Sequence, residues 1–280
     1  MHIAPYDNQN DPIVDADNAT VPLNYFNIVK LKRGEAFEYQ VPNYETCIVP
    51  ATGCVDIEVE GVSFKALGLR GEDVWDGEPE GAYIPSGAKA VMVCVSDSAE
   101  VFVAGARYEE VLEPFEVRAD AIDLVQYGSD DTKTHRKIKH ILGQKQADKV
   151  GRLLVSELYT VGTGGWSGFP SHKHDTDRLP LETRHDETYN FRFKPNWGSG
   201  LQMLQREDNK PGDAYHIVDG STVCIDTGYH PCCVLPGHEM YYFTILGGLS
   251  QRSLVQFFQP THEAQIETIP GIKDMIAKFK

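Results

Sequence analysis

The chain has no apolar run approaching the roughly 18 residues of a membrane-spanning helix. Its first residues, Met1-His2-Ile3-Ala4-Pro5-Tyr6-Asp7, lack the basic flank and apolar core of a secretion signal. A membrane partner is thereby excluded and a cytoplasmic location expected. Basic charge is scarce: Lys and Arg total 26 against 41 Asp and Glu, for a net charge of −15. Such a surface repels phosphate backbones, and no basic stripe offsets it, which excludes nucleic acid as a partner. The six cysteines form no Cys-x-x-Cys pair. Most sit in apolar runs, where cysteine behaves as a small buried hydrophobe, as suits a reducing compartment. Residues 25–110 contain no histidine, so this half cannot hold a histidine-rich metal site.

What is present is a β pattern. Gly 25 and Pro 16 are dispersed along the 280 residues and punctuate short alternating runs such as Tyr25–Leu31, Phe37–Val41, Tyr44–Val49 and Val55–Val59. Strands at this spacing indicate a sandwich or barrel. The pattern repeats itself: Glu45 opens an apolar run ended by Gly53, with Tyr83-Ile84-Pro85 following, and Glu187 opens one ended by Gly198, with Cys224–Gly228 following. The expected division is an arm over 1–22, a barrel without metal over 23–120 and a charged linker over 121–149 that returns to the barrels through the strand-like run Ile138-Lys139-His140-Ile141-Leu142. A second barrel over 150–265 and a terminal helix over 266–280 complete it. Ile272, Met275, Ile276 and Phe279 fall at helical spacing in that last segment.

The second half carries the chemistry. His172 and His174 are two apart, so on a strand both imidazoles face the same side. Glu187 begins the next alternating run, and His230 follows the turn Thr227-Gly228. Singly, each also reads as an ordinary surface or turn residue. Together, three imidazoles and a carboxylate on strands of one small barrel form a first-row metal site with positions left open for water or substrate. Of Cys232 and Cys233, at most one could face that site, and packing is the simpler reading.

Several motifs carry a resemblance to the 5-deoxy-glucuronate isomerase family. They are Gly151-Arg152-Leu153-Leu154-Val155-Ser156-Glu157-Leu158-Tyr159-Thr160, Trp166-Ser167, Pro170-Ser171-His172-Lys173-His174-Asp175, Glu187-Thr188-Tyr189, Gly228-Tyr229-His230-Pro231 and Met240-Tyr241-Tyr242. Looser echoes reach into the first half at Cys47-Ile48-Val49-Pro50 and Tyr83-Ile84-Pro85. Where the family has Pro-Glu before Gly-Tyr-His-Pro, this chain has Asp226-Thr227. The resemblance implies an all-β bicupin: two double-stranded β-helix (jelly-roll) barrels with few short helices. It implies metal ligation by His172, His174, Glu187 and His230, and conversion of 5-deoxy-D-glucuronate to 5-dehydro-2-deoxy-D-gluconate in inositol breakdown. A related isomerase acting on another uronate such as 5-keto-4-deoxyuronate, a bicupin dioxygenase and a non-catalytic sugar-binding cupin are the alternatives.

Aldose–ketose isomerisation needs an enediolate stabiliser and a proton carrier. A divalent ion supplies the first as a Lewis acid without redox change, which suits Zn²⁺, with Mn²⁺ or Fe²⁺ open to the same ligands. Tyr242, Tyr189 and Asp175 are the candidate proton carriers. A sugar acid also needs local positive charge in this acidic protein. Lys173, between the two histidines, points away, and Arg178, Arg184 and Arg206 are the candidate substrate-binding residues, the first two on the long loop 175–186. Exposed barrel edges and the N-terminal arm lead us to expect a homo-oligomer.

Overall fold

Strand Glu239–Gly248 alternates Met240, Tyr242, Thr244 and Leu246 with Tyr241, Phe243 and Ile245, and all of these side chains are buried. A strand apolar on both faces must be covered on both, and here each face belongs to a different barrel. In the computed structural model, which describes residues 1–277, this strand lies at the centre of a seven-stranded antiparallel sheet. The order across that sheet is His2–Ile3, Thr222–Ile225, His185–Lys194, Glu239–Gly248, Leu153–Thr160, Arg136–Leu142 and Asp123–Tyr127. Opposite its Tyr242 face stands a four-stranded sheet of Trp166–Ser167, Cys232–Val234, Ser199–Leu204 and Asp213–Val218. Tyr189, Phe191, Ile217, Val223, Val234 and Met240 fill the space between the two.

The first half repeats the plan. Phe115–Val117, Gly81–Ile84, Tyr44–Thr52, Ser98–Arg107 and Asn24–Lys32 form a five-stranded sheet. A four-stranded sheet of Ala36–Tyr39, Ala90–Cys94, Val55–Val59 and Val62–Leu67 faces it. The fold is thus all-β, two jelly-roll barrels with few short helices. The charged stretch between the halves contributes the two outermost strands of the second sheet, because Val125 and Tyr127 alternate as regularly as any core strand. The arm crosses to the second barrel, where His2 and Ile3 pair with Val223 and Thr222.

The two larger sheets pack face to face. Phe102 meets Phe243 at a ring separation of 4.7 Å, with Phe26, Tyr159 and Tyr241 in the same cluster. Polar groups buried in this contact are answered across it. Arg70 from the first barrel makes a two-pronged contact with Glu157 of the second, at 2.7 and 2.5 Å, and the hydroxyls of Tyr159 and Tyr241 donate to the same carboxylate. Glu45, the counterpart of Glu187 in the repeat, is fully buried and accepts from the backbone N–H groups of Gly151, Arg152 and Leu153 and from the Tyr83 hydroxyl. Beyond the second barrel, short helices Gln265–Thr268 and Ile272–Ala277 seat Ile269, Ile272 and Met275 against Val125, Tyr127 and Ile138. Phe279 and Lys280 lie outside the described residues.

Removing the Glu45 carboxylate strands three backbone donors at the barrel junction. Each buried unsatisfied group costs about 1–3 kcal/mol, so Glu45→Ala is expected to lower unfolding stability by about 3 kcal/mol or more. Chemical denaturation measures this, and a loss under about 1 kcal/mol counts against the junction described.

Candidate metal centre

Three backbone carbonyls set the geometry of the histidine cluster. The Nδ1–H of His172 donates to Pro170 O at 2.9 Å, that of His174 to His185 O at 3.1 Å, and that of His230 to Gly228 O at 2.8 Å. A carbonyl only accepts, so each ring carries its proton on Nδ1 and presents Nε2 inward. The ligand atoms of the three imidazoles lie within 4.8 Å of one another, near enough for the group to hold one metal ion. Local folding delivers them: His172 is on a two-residue strand paired with Phe257–Phe258, His174 follows it, and His230 lies just before Cys232–Val234.

Glu187 enters from the centre of the larger sheet. Its Oε2 stands 3.1 Å from Nε2 of both His174 and His230. A carboxylate facing ring lone pairs is repulsive unless a cation lies between, and His230 Nε2 is buried without a hydrogen-bond partner. The donor set therefore fits a divalent metal: three neutral imidazoles, their orientation fixed from behind, and one carboxylate. Burial pushes His172 down to about 3, aided by its two histidine neighbours. Burial acts the same way on His174, but the Glu187 carboxylate outweighs it and leaves that ring raised. Burial alone would raise Glu187, yet the two imidazoles hold it well below the usual carboxylate range.

The cluster opens on a small cavity of about 40 Å³ whose lining includes Tyr189, Tyr242, Thr244, Gln256, Met275 and Arg136. The rings of Tyr189 and Tyr242 meet at 4.6 Å, tilted by 52°, and burial raises both phenols far enough to keep them protonated at neutral pH. The Tyr242 hydroxyl also meets Ser167 Oγ and receives a hydrogen bond from Arg136 Nη2 at 3.0 Å. Gln256 reaches Nε2 of His172 at 2.9 Å.

The other expected site residues are placed elsewhere. Both oxygens of Asp175 are engaged, one by Lys173 and Thr176 and the other by Thr227 and Gly228, so this carboxylate fastens the turn before His230. Arg178 pairs with Glu182 over the Phe257 ring, Arg184 lies beside Asp186, and Arg206 faces Asp226; none lines the cavity. Buried Glu182 ties down the loop that carries Arg178 and Arg184 by accepting from the backbone of Asp175 and Thr176. Cys232 packs in the barrel core as a thiol that burial pushes up to about 12. Arg136 and Gln256 were missed. Arg136 left one trace in the sequence, since it stands two residues before Ile138 and so shares its inward face.

The KduI/IolB family description matches residues 2–265. The chain belongs to the KduI/IolB family. A 5-deoxy-glucuronate isomerase of Halalkalibacterium halodurans is 29% identical over 255 residues, covering 91% of this chain and 92% of that protein. The enzyme of the same name from Bacillus subtilis strain 168 is 27% identical, over 91% and 92% of the two chains. Among solved structures, an IolB-like protein from Salmonella typhimurium LT2 superposes with a TM-score of 0.86 at 25% identity, covering 94% of this chain and 98% of that one. A variant of Bacillus subtilis oxalate decarboxylase shares the two-barrel fold, with a TM-score of 0.64 at 9% identity over 92% of this chain and 79% of its own. The KduI/IolB match ends before the helix Ile272–Ala277, whose Met275 lines the cavity. Among the described residues no helix is long and apolar enough to cross a membrane.

The cluster gives the metal-free protein a characteristic acid response. Burial also lowers His185 to about 4. His172 and His185 stay neutral in the fold where the unfolded chain, near 6.5, takes up protons, so their stabilisation is complete above pH 6.5 and is lost as pH falls toward 4. His174, raised by Glu187, acts oppositely and loses its contribution as pH rises above 6.5. Melting temperature without metal is therefore expected to peak near pH 6.5 and to fall between 6.5 and 4, and a flat calorimetric profile across that range would contradict the assignment.

Proposed function

We propose that this chain is a metal-dependent aldose–ketose isomerase acting on 5-deoxy-D-glucuronate, yielding 5-dehydro-2-deoxy-D-gluconate, as a cytoplasmic enzyme of inositol breakdown. The observation that carries the reading is the convergence of three Nε2 atoms beside Glu187 on a cavity walled by two protonated phenols. The names borne by its KduI/IolB relatives support the substrate.

His172, His174, Glu187 and His230 would hold the ion, with zinc the first choice because the reaction involves no net redox change. When bound, a divalent ion supplies Lewis-acid polarisation of a carbonyl and its neighbouring hydroxyl. The residues do the rest. The Pro170, His185 and Gly228 carbonyls prevent the imidazoles from turning. Tyr189 and Tyr242, kept protonated by burial, can hydrogen-bond to an oxygen that gains charge and hand it a proton, the phenolate so formed taking up the proton that leaves the adjacent carbon, and Ser167 Oγ lies against the Tyr242 hydroxyl. Apolar Leu246, Leu254 and Ile138 exclude water from the same space. A six-carbon acid needs more room than the cavity of about 40 Å³ offers, so binding requires lining side chains to move.

The test follows 5-deoxy-D-glucuronate by NMR in D₂O with protein of measured metal content. Ketose should appear with deuterium at a carbon adjacent to the carbonyl, and His172→Ala should lose both bound metal and at least about 10²-fold in turnover. Full turnover in a His172→Ala protein, or in one stripped of metal, would overturn the proposal.

A further inference from the structure

Among the described residues three arginines are buried, and two of them are compensated. Arg70 grips Glu157 through two nitrogens, and Arg252 donates to the carbonyls of Leu153, Leu142 and Gly143. Arg136 differs. It is 1% exposed, Nη2 donates to Tyr242, and Nε and Nη1 are buried with no hydrogen-bond partner. No carboxylate lies within ion-pairing distance of it among the described residues. A guanidinium cannot shed its charge, and leaving one desolvated and unpaired is among the costlier arrangements in a protein interior. Nη2 keeps a second N–H, and with the N–H of an unpartnered nitrogen beside it forms the fork that matches a carboxylate.

Its location gives the arrangement a purpose. The Arg136 side chain lines the same cavity as His172, His174 and Glu187, and lies over the Tyr242 ring with its carbon 5.5 Å from the ring centre. Tyr242 thus contacts the guanidinium through its hydroxyl and Tyr189, the neighbour of His230, through its ring.

We infer that Arg136 is the anion anchor of this cavity, taking the carboxylate of a sugar acid on the second N–H of Nη2 and an unpartnered nitrogen beside it while the opposite end of the molecule lies at the histidine cluster. This rests on the isomerase reading for the identity of the sugar, and on the structure alone for the charge and position of the group bound. It replaces Arg178, Arg184 and Arg206, each already engaged with a carboxylate outside the cavity. It also explains how so acidic a chain accepts an anion: one buried positive charge in a low-dielectric enclosure counts for more than many screened charges at the surface.

The experiment measures calorimetric binding of D-glucuronate and of its uncharged amide to the metal-loaded protein, in wild type, Arg136→Lys and Arg136→Met, beside metal content and melting temperature. Wild type should prefer the acid by at least about tenfold. Arg136→Met should erase the preference, keep its metal and melt no lower than wild type, since it removes an unpaired buried charge. Arg136→Lys, a point charge without the fork, should retain part of the preference. A wild type without preference, or a preference that survives in Arg136→Met, overturns the inference. So does a loss of metal together with a fall in melting temperature of more than about 5 °C in that variant, which marks a structural role. Because turnover is not read, failure of the isomerase assay leaves this result standing, and an anchor that fails leaves the isomerase assay untouched.

Discussion

The centre depends on three carbonyl oxygens that are not themselves ligands. Pro170, His185 and Gly228 each hold one imidazole by its outer nitrogen, and without them the inner nitrogens would have no reason to converge. Two of these acceptors belong to turns and one to the strand that carries Glu187, so a cation held there would tie loops to sheet. The same carbonyls select the tautomer. Neutral rings with lone pairs turned inward, beside a carboxylate that burial alone would protonate, make a site in which protons and metal compete for the same electrons.

The first barrel contributes stiffness. Its Glu45 occupies the position that Glu187 holds in the second copy, and the two carboxylates show how one architectural slot serves two purposes. With no histidine nearby, Glu45 gathers backbone N–H groups at the start of strand Leu153–Thr160 and clamps one barrel to the other. With histidines around it, Glu187 gathers imidazoles. Arg70 and Glu157 repeat the theme, a buried ion pair answered on both sides and closed by two tyrosine hydroxyls.

Much of this could be read from the residues in order. The His-x-His pair, the acid opening a strand and the histidine after a Gly turn foretold both the elements and their meeting, because a two-residue period and a turn are local properties. Tyr189 and Tyr242 followed from the same alternation. The arginines were not legible in this way. Arg178 and Arg184 are near the ligands in sequence, but the twelve-residue loop has carboxylates of its own: the Arg178 side chain turns to Glu182, the Arg184 side chain lies beside Asp186, and Asp177 accepts from the Arg184 backbone N–H. Arg136 comes from the charged, turn-rich linker, whose strand Asp123–Tyr127 forms the edge of the sheet and whose strand Arg136–Leu142 is paired on both sides. Only the pairing of that stretch with Leu153–Thr160 places its inward side chain in the barrel.

Strand Glu239–Gly248 acts as a party wall. Tyr242 and Thr244 on one side border the chamber of the histidines, while Phe243 on the other touches Phe102 of the neighbouring barrel. The histidine chamber and the packing layer between the barrels are one backbone apart. Changes in the barrel that holds no histidine can therefore press on the reacting side through a single thickness of sheet, so the selectivity of the enzyme can drift through residues that never meet its substrate.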